Sequence, residues 1–228
     1  MKPISVEFPL RGEWMTVNSP GSKIPSHGTE VFGETYAYDF VGVDHTRKNL
    51  KFFKKGSLDY LLGRAGLNDF YGWGKPIFAP FSGIIVEASD GYEERQTFDM
   101  IHNFLVVSRN ALSFNQNKIK LQDLAGNYVI LQGKEAYAVL VHMREGSVRV
   151  NRGDNVNKGD LLGEVGHSGN STMPHLHFHL MDNPDAFIAN GIPCSFKEYE
   201  SYHQGKWINV ENGIPKNNEI IRYNGKSR

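Results

Sequence analysis

Gly169-Asn170-Ser171-Thr172-Met173-Pro174-His175-Leu176-His177-Phe178-His179-Leu180 sets a run of turn-forming residues against a segment in which histidine alternates with a large apolar residue. Glycine, asparagine, serine and proline mark the first half as a loop, and the alternation of the second half has the period of a half-buried β-strand. Successive strand side chains point to opposite faces. His175, His177 and His179 therefore share one face, and Leu176, Phe178 and Leu180 share the other. Histidines two apart on a strand stand side by side, so one imidazole can bind a metal while the next is held beside a ligand of that metal. The same row can equally serve as a hydrogen-bonded or solvated sheet face.

Outward from this stretch the chain reads as many short strands. Leu161 to Gly166 follows two turn signals in Gly153-Asp154-Asn155-Val156-Asn157-Lys158-Gly159-Asp160, and Val148 to Val150 is a further candidate. Ala136 to Met143 is a strand that ends at His142, and Tyr128 to Leu131 and Phe104 to Val107 are two more. The polar run from Ser108 to Gln122 reads as a long loop. Ile77-Phe78-Ala79-Pro80 leads through Phe81-Ser82-Gly83 into Ile84 to Ala88, a strand pair with a tight connection. Thr35 to Val43 is rich in aromatic and β-branched residues and reads as a strand with Asp39 inside it. A carboxylate there binds a cation, accepts several hydrogen bonds or faces water, because burying it unpaired is costly.

Residues 1 to 30 read as loop-rich, punctuated by Pro9, Gly12, Pro20, Gly21 and Pro25. Residues 45 to 75 read as an insertion with a short helix that Ser57 could cap. After Asp182 the tail reads as irregular. Short strands at short spacing with few helical periods predict a mainly β protein, an antiparallel sandwich or partly open barrel. The 228 residues suffice for one such domain, divided into an N-terminal segment 1–25, a core 26–181 and a C-terminal extension 182–228.

Composition narrows the function classes. With 25 basic and 25 acidic residues there is no global field to draw the chain to nucleic acid or an anionic membrane. No stretch approaches the length of a membrane span, and residues 1 to 8 contain no apolar signal-peptide core. Cys194 is the sole cysteine, which excludes an internal disulfide and a thiolate zinc site, and reads as a small buried hydrophobe. Histidine and carboxylate remain as ligands for any metal.

The chain resembles the lysostaphin/LytM-type zinc metalloendopeptidases, which cut peptide links in bacterial peptidoglycan. The resemblance runs through Pro76 to Gly83, Val141-His142, Gly153 to Gly163, and above all Ser168-Gly169-Asn170-Ser171-Thr172 with Pro174-His175-Leu176-His177-Phe178. It covers most of residues 26 to 181 in the family's order. It implies an antiparallel β fold with long groove-forming loops, around residues 26 to 34, 108 to 126, 143 to 147 and 167 to 174. It implies one Zn2+ per chain held by His27, Asp39 and His177, with His142 and His175 as the catalytic histidines. Two imidazoles and one carboxylate would leave a fourth tetrahedral position for water, as in catalytic rather than structural zinc sites. The implied substrate is a peptidoglycan stem peptide or cross-bridge, and the implied place of action is extracytoplasmic, at the cell wall.

Three departures from the family pattern carry weight. His27 and Asp39 are separated by a longer loop than the family's usual His-x-x-x-Asp, which leaves Glu30 and Glu34 as rivals to His27. His179 extends the histidine pair to a triple where a carboxylate or amide is usual, and either supports the pair from behind or lies at the surface. No separate wall-binding module is visible. His45, His102, His167 and His203 match no ligand position and read as structural or exposed, with His167, just before the Ser168-Gly169-Asn170-Ser171 loop, the best placed of the four to line the groove. Two other functions compete with hydrolysis. An inactive relative would regulate or scaffold other wall hydrolases, and a metal-binding module would hold zinc without turnover. A biotinyl or lipoyl carrier, suggested by Ile77 to Glu87 with Val156 to Gly163, lacks a lysine at a tight hairpin turn.

Overall fold

The computed structural model describes residues 2–49, 51–56, 65–94, 97–98 and 120–225. The expected helix at 57–62, the strand at 104–107, His102 and most of the 108–122 loop fall outside these residues. In the N-terminal half the strands are β1 (Ile4–Val6), β2 (Gly12–Asn18), β3 (Tyr38–Gly42), β4 (Ala65–Gly66), β5 (Pro76–Phe78), β6 (Gly83–Ser89) and β7 (Thr97–Phe98). A short helix, α1 (Leu121–Ala125), leads into β8 (Asn127–Gln132) and β9 (Tyr137–Met143). β10 (Asn155–Val156), β11 (Leu161–Glu164), β12 (Leu176–Met181) and β13 (Gly191–Ile192) follow, and β14 (Cys194–His203), β15 (Lys206–Gly213) and β16 (Ile220–Tyr223) complete the order.

Twelve of these strands form one sheet, in the order β1-β14-β16-β2-β3-β12-β9-β8-β6-β10, with β13 added beside β12 and β15 beside β14. Its pairings are antiparallel except that of β1 with β14. The expected mainly antiparallel β fold is borne out, as a large sheet whose two end strands do not pair with each other.

Alternation along β12 and β9 sorts residues to two faces. Leu176, Phe178 and Leu180 join Ala138, Leu140, Phe40 and Phe196 in the main core. On the other face Val139, Val141, Tyr128, Ile130 and Met181 pack with Phe32 and Ala186 in a second cluster. β12 was expected to be half-buried, but all six of its residues are buried. The histidine face is covered because loops distant in sequence fold over it, which strand period alone does not register.

Two regions are more regular than expected. The N-terminal segment supplies β1 and β2, and Val6, Phe8, Leu10 and Trp14 all sit in the main core. Its prolines and glycines mark bends between strands. The segment beyond Asp182 contributes β13 to β16, anchored by Phe196, Tyr199, Ile221 and Tyr223. The alternation of these strands is diluted by exposed polar residues, as in the β15 pattern of Lys206 to Gly213. Conversely, the expected strand from Thr35 begins only at Tyr38. Residues Val31–Tyr36 instead form 3-10 turns with Phe32 and Gly33 at φ of 59° and 73°. The candidate strand at Val148 to Val150 does not form.

Candidate metal centre

The site begins at the seam between β3 and β12, where register places His177 directly opposite Asp39. Facing residues of an antiparallel pair have Cβ atoms about 5 Å apart, close enough for their side chains to touch. His177 Nδ1 lies 3.0 Å from Asp39 Oδ1. His27, on the loop before the 3-10 turns, brings Nε2 to 2.8 Å from Asp39 Oδ2. Donor atoms of His27, Asp39 and His177 all lie within 4.8 Å of one another. Of the two rivals to His27, Glu30 is exposed. Glu34 Oε1 approaches only the opposite nitrogen of His177, at 3.8 Å.

Asp39 is also held from β2. Asn18 Nδ2 donates to Oδ2 at 2.6 Å, and a register shift between Thr16 and Asn18 sets Asn18 opposite Asp39. Asn18 was missed because its region read as loop; the signal was an asparagine ending the Trp14-x-Thr16 alternation.

His142 and His175 complete the cluster. His175 Nε2 is 3.5 Å from Asp39 Oδ1, and the rings of His142 and His175 are 4.7 Å apart between centroids. His142 has φ of 61°, in the left-handed region that a histidine rarely adopts. There β9 leaves one ladder for another: its pairing with β8 shifts register, Met143 bridges Val165, and the Gly166 amide donates to the His142 carbonyl. A bulge of this kind re-aims a side chain. His142 Nδ1 then donates to the Ser168 carbonyl at 2.9 Å, which leaves Nε2 for the site.

The loop carrying that carbonyl is fixed by close backbone approach. Gly169 has φ of +66°, and a Cβ there would stand 2.4 Å from the Gly126 nitrogen and 2.5 Å from the Leu124 carbonyl oxygen. The loop is thus pressed onto the end of α1, and Asn170 N donates to Leu124 O. Ser168 Oγ ties it to β9 by donating to Met143 O at 2.7 Å.

His179 sits behind His177 rather than at the surface. Its Nδ1 is 3.2 Å from His177 Nε2, and it is 3% exposed. His167, read as structural or exposed and as the best placed of the unmatched histidines to line the groove, is fully buried. The free Cys194 is buried, as its reading as a small hydrophobe requires. His45 and His203 stand apart from the cluster.

Charge and burial act against each other here. Burial pushes the Asp39 carboxyl up, but the charges of His27 and His175 and hydrogen bonds from His175 and His177 outweigh it and hold Asp39 well below the usual carboxylate range. For His27, burial pushes down and is outweighed by Asp39, so the net shift is upward. His142 is driven well down by burial, and then by the neighbouring His175 and His177. His179 is also held neutral, first by burial and then by His177 and His27. The set is a carboxylate among imidazoles: His142 and His179, beside the donor set, are kept uncharged, whereas His27, raised by Asp39, must give up a proton to bind a metal.

A second group, Glu13, Asp44 and His45, also brings donor atoms together. Its atoms are already committed: His45 Nδ1 donates to Glu13 Oε2 at 2.7 Å and Asp44 Oδ1 accepts from Thr46. The Arg222 charge interacts with Glu13, which further disfavours a cation.

Residues 106–188 match the model of peptidase family M23, which bears out the resemblance read from the sequence over that stretch. No curated protein matches the chain. Among solved structures, it is similar to a mutant of the catalytic domain of the prophage-encoded M23 protein EnpA from Enterococcus faecalis. Identity is 17%, covering 79% of this chain and 88% of that one, with a TM-score of 0.41. The catalytic domain of the antimicrobial peptidase lysostaphin from Staphylococcus simulans is 18% identical with the same coverage and a TM-score of 0.38. A zinc-containing peptidase from Vibrio cholerae is 18% identical, covering 49% of this chain and 25% of that one, with a TM-score of 0.32. The chain thus spans between a quarter and about a third of the length of some of the solved structures it matches.

Proposed function

We propose that the protein is a zinc-dependent endopeptidase that hydrolyses amide bonds in peptidoglycan stem peptides or cross-bridges outside the cytoplasm. The observation that carries this reading is the convergence of His27, Asp39 and His177 donors within 4.8 Å, with His142 and His175 packed against His177 and Asp39. Two imidazole nitrogens and one carboxylate oxygen suit zinc and leave a position open, the donor set of catalytic zinc sites. Bound there, Zn2+ would lower the pKa of water toward about 7 and polarise the scissile carbonyl.

The chain's own residues supply the rest. Asp39, held by Asn18, fixes the orientation of His27 and His177. With a metal on Nδ1 of His177 the ring proton would lie on Nε2, and His179 Nδ1, 3.2 Å away, would take it, the usual task of a partner behind a metal-binding histidine. His142 donates its Nδ1 proton to Ser168 O, so its exchangeable nitrogen is Nε2. From Nε2 of His142 and of His175, a proton can be taken from the attacking water and delivered to the leaving amine. Among the described residues no helix is long and apolar enough to cross a membrane.

The test is metal content and hydrolysis on the same purified protein. About one zinc per chain, with new amine termini appearing in digested peptidoglycan and lost on chelation, is the expected result. A zinc-loaded, folded protein that leaves every stem-peptide and cross-bridge bond intact would overturn the hydrolase reading in favour of a regulator or scaffold.

A further inference from the structure

A buried polar chain runs behind the site and is not used by the chemistry above. His167 is fully buried, and its Nδ1 lies 3.0 Å from Ser171 Oγ. Ser171 Oγ is 2.7 Å from the Met173 carbonyl oxygen and 3.1 Å from His175 Nδ1. His175 Nδ1 is in turn 2.7 Å from that same carbonyl.

The donor and acceptor inventory fixes the direction of these bonds. A carbonyl oxygen only accepts. His175 must therefore carry a proton on Nδ1, and Ser171 directs its hydroxyl proton at Met173 O. Ser171 Oγ keeps lone pairs facing His167, so His167 donates from Nδ1. With the Nδ1 proton of His175 committed, Nε2 is the one nitrogen where that ring can gain or lose a proton, and it points into the cluster. The far end of the chain is anchored by the His167 backbone amide, which donates to the buried Glu94 carboxyl at 2.6 Å.

We infer that His167 and Ser171 are positioning residues that hold His175 in the Nδ1–H tautomer with Nε2 presented to the reacting groups. The inference rests on reading His175 as catalytic. A histidine carrying the wrong proton has its base turned away from the site. His167 reaches His175 through Ser171.

The test uses the zinc-loaded full chain with His167→Asn, His167→Gln, His167→Leu and Ser171→Ala. Asparagine places an amide donor where Nδ1 stands, whereas glutamine places it at the Nε2 end, so the pair separates hydrogen bonding from packing. Long-range 1H–15N spectra report the His175 tautomer directly, with hydrolysis, zinc content and melting temperature measured beside it. Wild type and His167→Asn should show Nδ1–H at His175. The other three should show mixed tautomers and a kcat roughly 10- to 100-fold lower, the range for lost partners of this kind, with KM and zinc unchanged. An unaltered His175 tautomer in Ser171→Ala and His167→Gln would overturn the inference. So would a loss in His167→Asn equal to that in His167→Leu, because packing would then be the cause. If wild type hydrolyses nothing, the spectra still decide the tautomer claim, and the catalytic reading fails separately.

Discussion

Asp39→Asn tests the centre most directly, because it keeps the volume and removes the charge. In the native protein the carboxylate accepts from Asn18 at 2.6 Å and lies 2.8 Å from His27 and 3.0 Å from His177. Zinc sites with four protein ligands bind with about 10–16 kcal/mol, or about 3 kcal/mol for each ligand. Loss of the carboxylate should then weaken zinc by about two orders of magnitude, at about 1.4 kcal/mol per tenfold. Chelator competition at fixed pH measures this. In zinc-free protein a second effect appears, and its sign follows from His27. The folded pKa of His27 is raised, chiefly by Asp39 acting against burial. The stability this contributes is complete below about pH 6.5, the unfolded value, and is lost as pH rises through the folded value. The variant lacks the Asp39 contribution, so burial of His27 is offset only by the Glu34 charge. The stability gap between wild type and Asp39→Asn should therefore be wider at pH 6 than at pH 9 in urea melts. Zinc affinity unchanged by the substitution, or a gap that does not vary with pH, would refute the arrangement argued here.

His142→Ala should leave zinc content near one per chain while hydrolysis falls by about 10²–10⁴, the usual worth of a positioned acid–base group; loss of zinc would place His142 among the ligands instead. His179→Ala removes the ring behind His177 and should weaken zinc by about 10- to 100-fold, read by the same chelator competition. Burial raises the Glu94 carboxyl from its ordinary value of 4.5 to about 7. A raised carboxyl stabilises the folded state below about pH 4.5 and loses that contribution as pH climbs through about 7, so wild type should lose up to about 3 kcal/mol across this window. Glu94→Gln should not show that loss, and urea melts of both proteins at pH 4.5 and pH 8 give the difference.

The sequence revealed the site more fully than its surroundings, for physical reasons that differ by residue. His175, His177 and His179 lie on one strand at period two, so their shared face follows from the backbone alone. Asp39 stood out as a carboxylate inside an aromatic strand, and its pairing with His177 is a matter of one register. His27 is different: its approach to Asp39 depends on the 3-10 turns at Val31–Tyr36, whose left-handed Phe32 no propensity would favour. Asn18 was hidden by a bend, and β2 with it. The C-terminal strands were obscured for the opposite reason: β15 is largely exposed and its polar residues erase the alternation. His167 shows the limit of motif position as a guide, since a residue beside the site loop in sequence lies wholly behind it in space.

Two kinds of support hold the cluster. His27, Asp39 and His177 are tied to one another and to the β2-β3-β12 seam, so their geometry depends on the strand register of the large sheet. His142 and His175 are tied instead to carbonyls of one loop, Ser168 O and Met173 O. That loop is set by the contact of Gly169 with Gly126 and by the Ser168 and Ser171 hydroxyls. Register is cooperative and resists local change, because a one-residue slip would move every side chain of a strand to the wrong face. A loop held by a few hydrogen bonds and one close backbone approach can be perturbed alone. On the proposed function, metal affinity and proton transfer would then depend on different parts of the fold, and substitutions in the loop from His167 to Met173 should alter the second while sparing the first.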